Sequence, residues 1–244
     1  MSEVLRLTNI VKNFGHVEVL RGIDLTVAPN EVVALIGSSG SGKSTLLRTI
    51  NLLERIDDGQ IWLRGVDISE PQVKADKVRA RIGTVFQHYN LFPHLSVLDN
   101  VTLASRHVLG IPKPVAEQRG LELLDRIGLA DHARSFPDRL SGGQQQRAAI
   151  VRAIATSPEL LLLDEITSAL DPELVGEVLD LVRELKVEGT TIVMATHEMA
   201  FARDVADRVV FLDRGVIAEQ GTPAELFGSP REARTKEFLS RFMA

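Results

Sequence analysis

The sequence contains no cysteine. Disulfides, thiolate nucleophiles and zinc–thiolate centres are therefore excluded, and a reducing cytosol is a compatible setting. A surplus of positive charge is also missing: 28 Lys and Arg stand against 33 Asp and Glu, a formal net charge of −5. A protein that coats DNA draws its affinity from the opposite balance. No apolar run reaches the roughly 18 residues that a membrane helix needs. The longest tight run, Leu160–Leu163, is closed off by Glu159 and Asp164. Glu3 and Arg6 interrupt the first apolar residues, so the N-terminus does not read as a signal peptide. Internal repeats, low-complexity tracts and long linkers are absent as well. What remains is an ordinary globular composition, 244 residues with 44% hydrophobic and 25% charged, enough for one sizeable core with or without a smaller subdomain.

Strand-like and helix-like patterns alternate along most of the chain, which predicts an α/β fold. The first third is β-rich, with strands expected over Leu5–Phe14, Val19–Val27, Glu31–Gly37 and Gln60–Ile68. Lys43–Leu53 reads as a helix with Leu46, Leu47, Ile50 and Leu53 on one face. Ile82–Gln87 reads as a short strand. From Ser96 to Ile127 the apolar spacing turns helical, broken by Gly110, Pro112 and Pro114. Alternation then resumes: a helix over Gly142–Thr156, a buried strand over Leu160–Glu165, a helix over Pro172–Val187 and a strand over Thr190–His197. Val209–Glu219 reads as a hairpin turning at Asp213-Arg214-Gly215. Two short helices close the chain.

Gly37-Ser38-Ser39-Gly40-Ser41-Gly42-Lys43-Ser44-Thr45 fits G-x-x-x-x-G-K-[ST]. A Gly/Ser turn with no ligand is the plain alternative, but the stretch follows a predicted buried strand and opens a predicted helix, the setting the motif requires. Glycines let main-chain N–H groups converge on an anion, and the helix N-terminus adds positive dipole. Lys43 can reach β- and γ-phosphates, and Ser44 can ligate Mg²⁺. The strand Leu160–Leu163 runs into Asp164-Glu165. Ligands of open α/β sheets bind at the carboxyl ends of strands, which predicts Asp164 beside the Gly37 loop. A carboxylate there suits Mg²⁺ directly or through water, and Glu165 is placed to orient or deprotonate an attacking water. Taken alone, such a pair is as well explained by a strand ending in solvated acids.

Leu140-Ser141-Gly142-Gly143-Gln144-Gln145-Gln146-Arg147 supplies a second glycine loop at a second helix start. Ser141 can simply cap that helix, yet the exposed N–H groups also form a second anion site. Here the chain resembles the ATP-binding-cassette (ABC) ATPases, the nucleotide-binding subunits of ABC transporters. Leu140–Arg147 is similar to their signature motif. The likeness spans essentially the whole chain and runs in order through the phosphate loop, Gln87, the signature, Asp164-Glu165, Ser168-Ala169-Leu170-Asp171 and His197.

The resemblance implies a P-loop NTPase fold: a RecA-like α/β core with an N-terminal antiparallel β subdomain and a helical insertion. One cassette would fill 1–244, with core at 1–88 and 141–244 and helical subdomain at 89–140. It implies that ATP and Mg²⁺ are the cofactors, and that a homodimer sandwiches ATP so that Ser141, Gly142, Gly143 and Gln144 meet the nucleotide of the opposite subunit. Phe14 would stack on adenine; the plain alternative is a core phenylalanine. Gln87 would sense Mg²⁺ and the attacking water and link to the helical insertion. His197 would contact the γ-phosphate, with Glu165, Gln87 and Lys43 completing the catalytic set. Ser44, Gln87 and Asp164, the last through water, would serve the metal. Asp171 would lie at the dimer seam, or only cap the helix beginning at Pro172.

Ser38, Ile166 and Phe14 depart from the family's commonest residues, which are proline, proline and tyrosine. Ile166 is expected to loosen the turn after Glu165. Three segments resemble the importers of polar amino acids: Phe86–Leu95, Thr167–Val175 and Thr196–Met199. The tail Ser229–Phe242, with Arg231, Arg234, Phe238 and Leu239, does so as well. The implied partners are membrane permease subunits and, indirectly, an extracytoplasmic solute-binding protein; nucleic acid is not among them. The implied location is the cytoplasmic face of a bacterial membrane. An importer ATPase for another small solute is the nearest alternative. A soluble ABC ATPase of DNA repair or the ribosome fits less well, because one cassette with a short insertion has neither a long coiled coil nor a second cassette.

Overall fold

A computed structural model describes residues 3–241; Phe242 of the tail lies outside the described residues, as do the ends of the expected 1–88 and 141–244 spans. In chain order the elements begin with β1 (Leu5–Phe14), β2 (Val17–Val27), β3 (Val32–Ile36), α1 (Lys43–Ile50), β4 (Asp58–Leu63) and β5 (Val66–Asp67). There follow α2 (Ala75–Arg79), β6 (Ile82–Val85), α3 (Val97–His107), α4 (Lys113–Arg126), α5 (Gly142–Ile154), β7 (Leu160–Asp164) and α6 (Pro172–Val187). The chain closes with β8 (Ile192–Ala195), α7 (Met199–Val205), β9 (Arg208–Asp213), β10 (Val216–Gly221), α8 (Pro223–Gly228) and α9 (Ala233–Leu239). Packing divides these into two compact units, Met1–Ala75 with Lys186–Ala244, and Asp76–Leu185.

The first unit holds an antiparallel sheet of order β2-β1-β4-β5 and a second set of strands in order β10-β9-β3-β8. β3 is Val-Val-Ala-Leu-Ile, buried at every residue. It can be apolar throughout because parallel neighbours flank it on both sides, β8 and β9. Its start is pinned by charge: Arg208 Nε donates to Glu31 Oε1 at 2.9 Å, and Val32 N donates to Asp207 Oδ2 at 2.9 Å. The first sheet alternates instead, with Leu5, Leu7 and Ile10 inward on β1.

The last two helices dock on the β9–β10 hairpin. Arg234 donates to both carboxylate oxygens of Asp213, at 3.0 and 3.1 Å. Glu219 accepts from the Arg231 and Glu232 amides at 2.8 and 3.1 Å. Phe238 rests on Phe211 with ring centroids 5.0 Å apart.

The second unit pairs β6 and β7 in parallel, Ile82 against Leu160 through Val85 against Leu163. Helices α3, α4, α5 and α6 complete it. Arg81 grips Glu159 through Nε at 2.7 Å, and Arg147 on α5 grips Glu177 on α6 at 2.7 Å.

Candidate active site

In the first unit, the Gly37–Thr45 loop leaves the end of β3 and turns into α1. Gly37 has φ 150° and Gly42 φ 109°, both in the region that favours glycine. Crowding adds to the demand. A Cβ on Gly37 would lie 2.3 Å from the Leu212 carbonyl oxygen, and one on Gly42 2.9 Å from Leu20 Cδ2. The β9–β10 turn braces the loop from below, with Gly215 N donating to Ser41 O at 3.1 Å.

The loop is built to receive an anion. No side chain caps α1, so the first amides of that helix point into the loop without a capping oxygen. Lys43, only 4% exposed, turns its ammonium onto the Gly37 and Ser38 carbonyls at 2.9 and 3.3 Å. The buried Ser41 hydroxyl has no hydrogen-bond partner. Uncapped amides, an orphaned hydroxyl and a buried ammonium match the requirements of a bound triphosphate.

His197 lies two residues beyond Ala195 of β8, and Ala195 is paired with Leu35 of β3. His197 and Gly37 therefore follow the same ends of neighbouring parallel strands. Phe14, at the end of β1, is 45% exposed, so it is not a core phenylalanine. The Lys12 ammonium sits 5.0 Å from its ring centroid.

In the second unit, the register of β6 and β7 pairs Val85 with Leu163. Gln87 and Glu165 each stand two residues further on, so both leave the carboxyl ends of adjacent strands. Asp164 is buried at 5% exposure. Glu165 has φ 48°, a strained region for a side-chain-bearing residue, and strain of this kind clusters at functional sites. Its carbonyl accepts from Ser168 N at 3.1 Å and from Ser168 Oγ at 2.8 Å. Ile166, the residue after Glu165, is buried at 7% exposure, and Ser168 closes the turn with both bonds.

Ser141 caps α5. Its Oγ accepts from Gln144 N at 3.3 Å, and Gln144 Oε1 accepts from Ser141 N at 2.9 Å. Gly142 and Gly143 open the helix behind it, Gly143 against Leu174. Asp171 is exposed just before Pro172, the first residue of α6. Sequence reasoning missed Ser168, Gly215 and Tyr89 as supports of these loops. Gly215 and Tyr89 act through contacts distant in sequence, so no local pattern marks them, whereas Ser168 closes a turn only three residues long, and its signal was the serine itself.

Residues 20–168 match the family model for the ABC transporter. The chain belongs to the ABC transporter family, as the cassette that binds ATP and hydrolyses it to drive transport. Among its relatives, the L-cystine transport system ATP-binding protein of Escherichia coli is 52% identical over 245 residues, covering 98% of both chains. The glutamine transport ATP-binding protein of Geobacillus stearothermophilus is 50% identical over 232 residues, covering 95% of this chain and 96% of that one. The arginine transport ATP-binding protein of Bacillus subtilis is 48% identical over 240 residues, covering 98% and 100%. A dimeric ATP-binding cassette in a post-hydrolysis state, bound to ADP and Pi, superposes with a TM-score of 0.79 at 32% identity, covering 90% of this chain and 98% of that one.

Proposed function

We propose that this chain is the ATPase subunit of a bacterial importer of polar amino acids. The observation that carries the substrate class is near-full-length identity of about half to subunits named for cystine, glutamine and arginine. The subunit works as a homodimer at the cytoplasmic membrane face, bound to permease subunits that receive solute from an extracytoplasmic binding protein. No helix among the described residues is long and apolar enough to cross a membrane, so the channel is assigned to those partners. The helices and 3₁₀ turns between 89 and 140 form the helical subdomain of this reading, and the remainder forms the core.

The residue roles follow. The Gly37–Thr45 loop and Lys43 hold the phosphates, and Phe14 stacks on the adenine. Glu165 draws a proton from the attacking water. His197 and Gln87 hold that water and the γ-phosphate in line. Ser141, Gly142, Gly143 and Gln144 complete the opposite subunit's site, and Asp171 lies at the seam. Among the described residues no group of three His, Asp or Glu could hold a metal alone. In this reading the Ser44 hydroxyl, the Gln87 amide and Asp164 would serve the metal, hard oxygens suited to Mg²⁺, which keeps waters and substrate phosphates as its other ligands. That ion would offset the charge that builds on the phosphates.

Glu165→Gln tests the reading. It should keep ATP affinity, lose hydrolysis by about a hundredfold or more, and elute as a dimer on size exclusion with ATP. Hydrolysis at the wild-type rate would remove Glu165 from the role of base.

A further inference from the structure

Tyr89 is the chain's single tyrosine and stands two residues past Gln87. Its hydroxyl donates to the Ala169 carbonyl at 3.1 Å. Ala169 belongs to the loop that runs from Ser168 to Asp171. The same oxygen lies 2.8 Å from the place where a Cβ on Gly142 would sit; the next nearest atoms are Leu170 Cδ2 at 3.6 Å and the Tyr89 ring carbon Cζ at 3.7 Å. One phenol therefore tethers one loop and fills the space beside the first glycine of another. Its own segment is fixed from the far end of α5, where the Arg152 guanidinium donates to the Tyr89 and Asn90 carbonyls.

We infer that Tyr89 is a positioning residue, which holds the Ser168–Asp171 loop and the Gly142 end of α5 in one geometry tied to the strand end that carries Gln87. This rests on the reading above, in which Gln87, Ser141–Gln144 and Asp171 all serve ATP. The aromatic ring alone would fill space. The tether is the work of the hydroxyl, which donates the bond that joins the carbonyl of the exposed Ala169 to the Tyr89 segment.

Tyr89→Phe removes the hydroxyl and keeps the ring. It should lower kcat about threefold to tenfold, the scale of one neutral hydrogen bond, and leave KM for ATP within about twofold. A merely structural role would instead lower the melting temperature and leave kcat of the folded fraction unchanged, which would overturn the inference. A second measurement needs no nucleotide. Gly142→Ala should lower the melting temperature in the parent, where its methyl meets the hydroxyl, and should cost little in Tyr89→Phe, where the remaining neighbours lie at ordinary van der Waals distance. Equal losses in the two backgrounds would refute the contact. Failure of the ATP-site reading shows elsewhere, as normal ATP binding by Lys43→Ala, and leaves the coupling between positions 89 and 142 intact.

Discussion

Replacing Ser141 by alanine separates two jobs that one hydroxyl performs. In the structure Ser141 Oγ accepts from Gln144 N at 3.3 Å, a long bond, while the reciprocal bond from Ser141 N to Gln144 Oε1 is 2.9 Å. Alanine removes the first bond and keeps the second. The stability loss should therefore sit at the low end for caps, about 0.5–1 kcal/mol. For a chain of this length that is a fall of about 1–4 °C in melting temperature. A serine hydroxyl has two acceptor lone pairs and one proton to donate. Capping uses an acceptor, so the proton stays available for a phosphate oxygen of the opposite subunit. If it is used there, losing it costs about a hundredfold or more in kcat, the scale of one lost donor to a developing oxyanion. Ser141→Gly sharpens the contrast, since glycine caps almost as well as serine, within a few tenths of a kcal/mol. It should melt with the parent and hydrolyse like the alanine variant. The assays are thermal melting without nucleotide and steady-state phosphate release with ATP. Near-parental kcat in Ser141→Gly would refute the phosphate role and leave Ser141 a helix cap.

Lys43→Ala should abolish measurable ATP binding by calorimetry, because the ammonium now spent on the Gly37 and Ser38 carbonyls is the loop's buried cation. Unchanged affinity would sink the assignment. The C-terminal docking should be acid-sensitive. The Arg234 guanidinium beside Asp213 holds that carboxyl below its ordinary value. A carboxyl depressed in the folded state contributes stability above its unfolded pKa and loses it as pH falls through the folded pKa. The melting gap between the parent and Asp213→Asn should thus be fully open near neutrality and close below about pH 4. A gap that persists undiminished at pH 3 would contradict this.

Much of the fold was legible where periodicity had room to speak. Leu5–Phe14 and Pro172–Val187 are observed with the bounds that the sequence suggested. Short elements escaped. α2 has five residues and α7 seven, fewer than two turns, too few to display a helical face. The strand expected across Gln60–Ile68 is two strands, because Arg64 and Gly65 take φ 50° and 76° and turn the chain back. The same Arg-Gly pair at 214–215 was read as a hairpin turn, so the signal was present twice and used once. The strand expected over Thr190–His197 was drawn too long, since the β-branched Thr191 and Thr196 extend the pattern beyond the pairing. The phosphate loop and Asp164-Glu165 were legible because backbone chemistry dictates their residues. Two of the supports were not: Gly215 beneath Ser41 and Tyr89 against Ala169 depend on neighbours far away in sequence.

α5 carries Ser141 at its leading end and, eleven residues on, the Arg152 whose guanidinium reaches the Tyr89 and Asn90 carbonyls. A helix turns about 100° and advances about 1.5 Å with each residue. Adding or deleting one residue anywhere between these two positions would swing Arg152 around the axis and break its grip, even with every amino acid type preserved. The spacing between cap and arginine is thus a fixed length, and variants of this cassette can change the residues along α5 far more freely than their number.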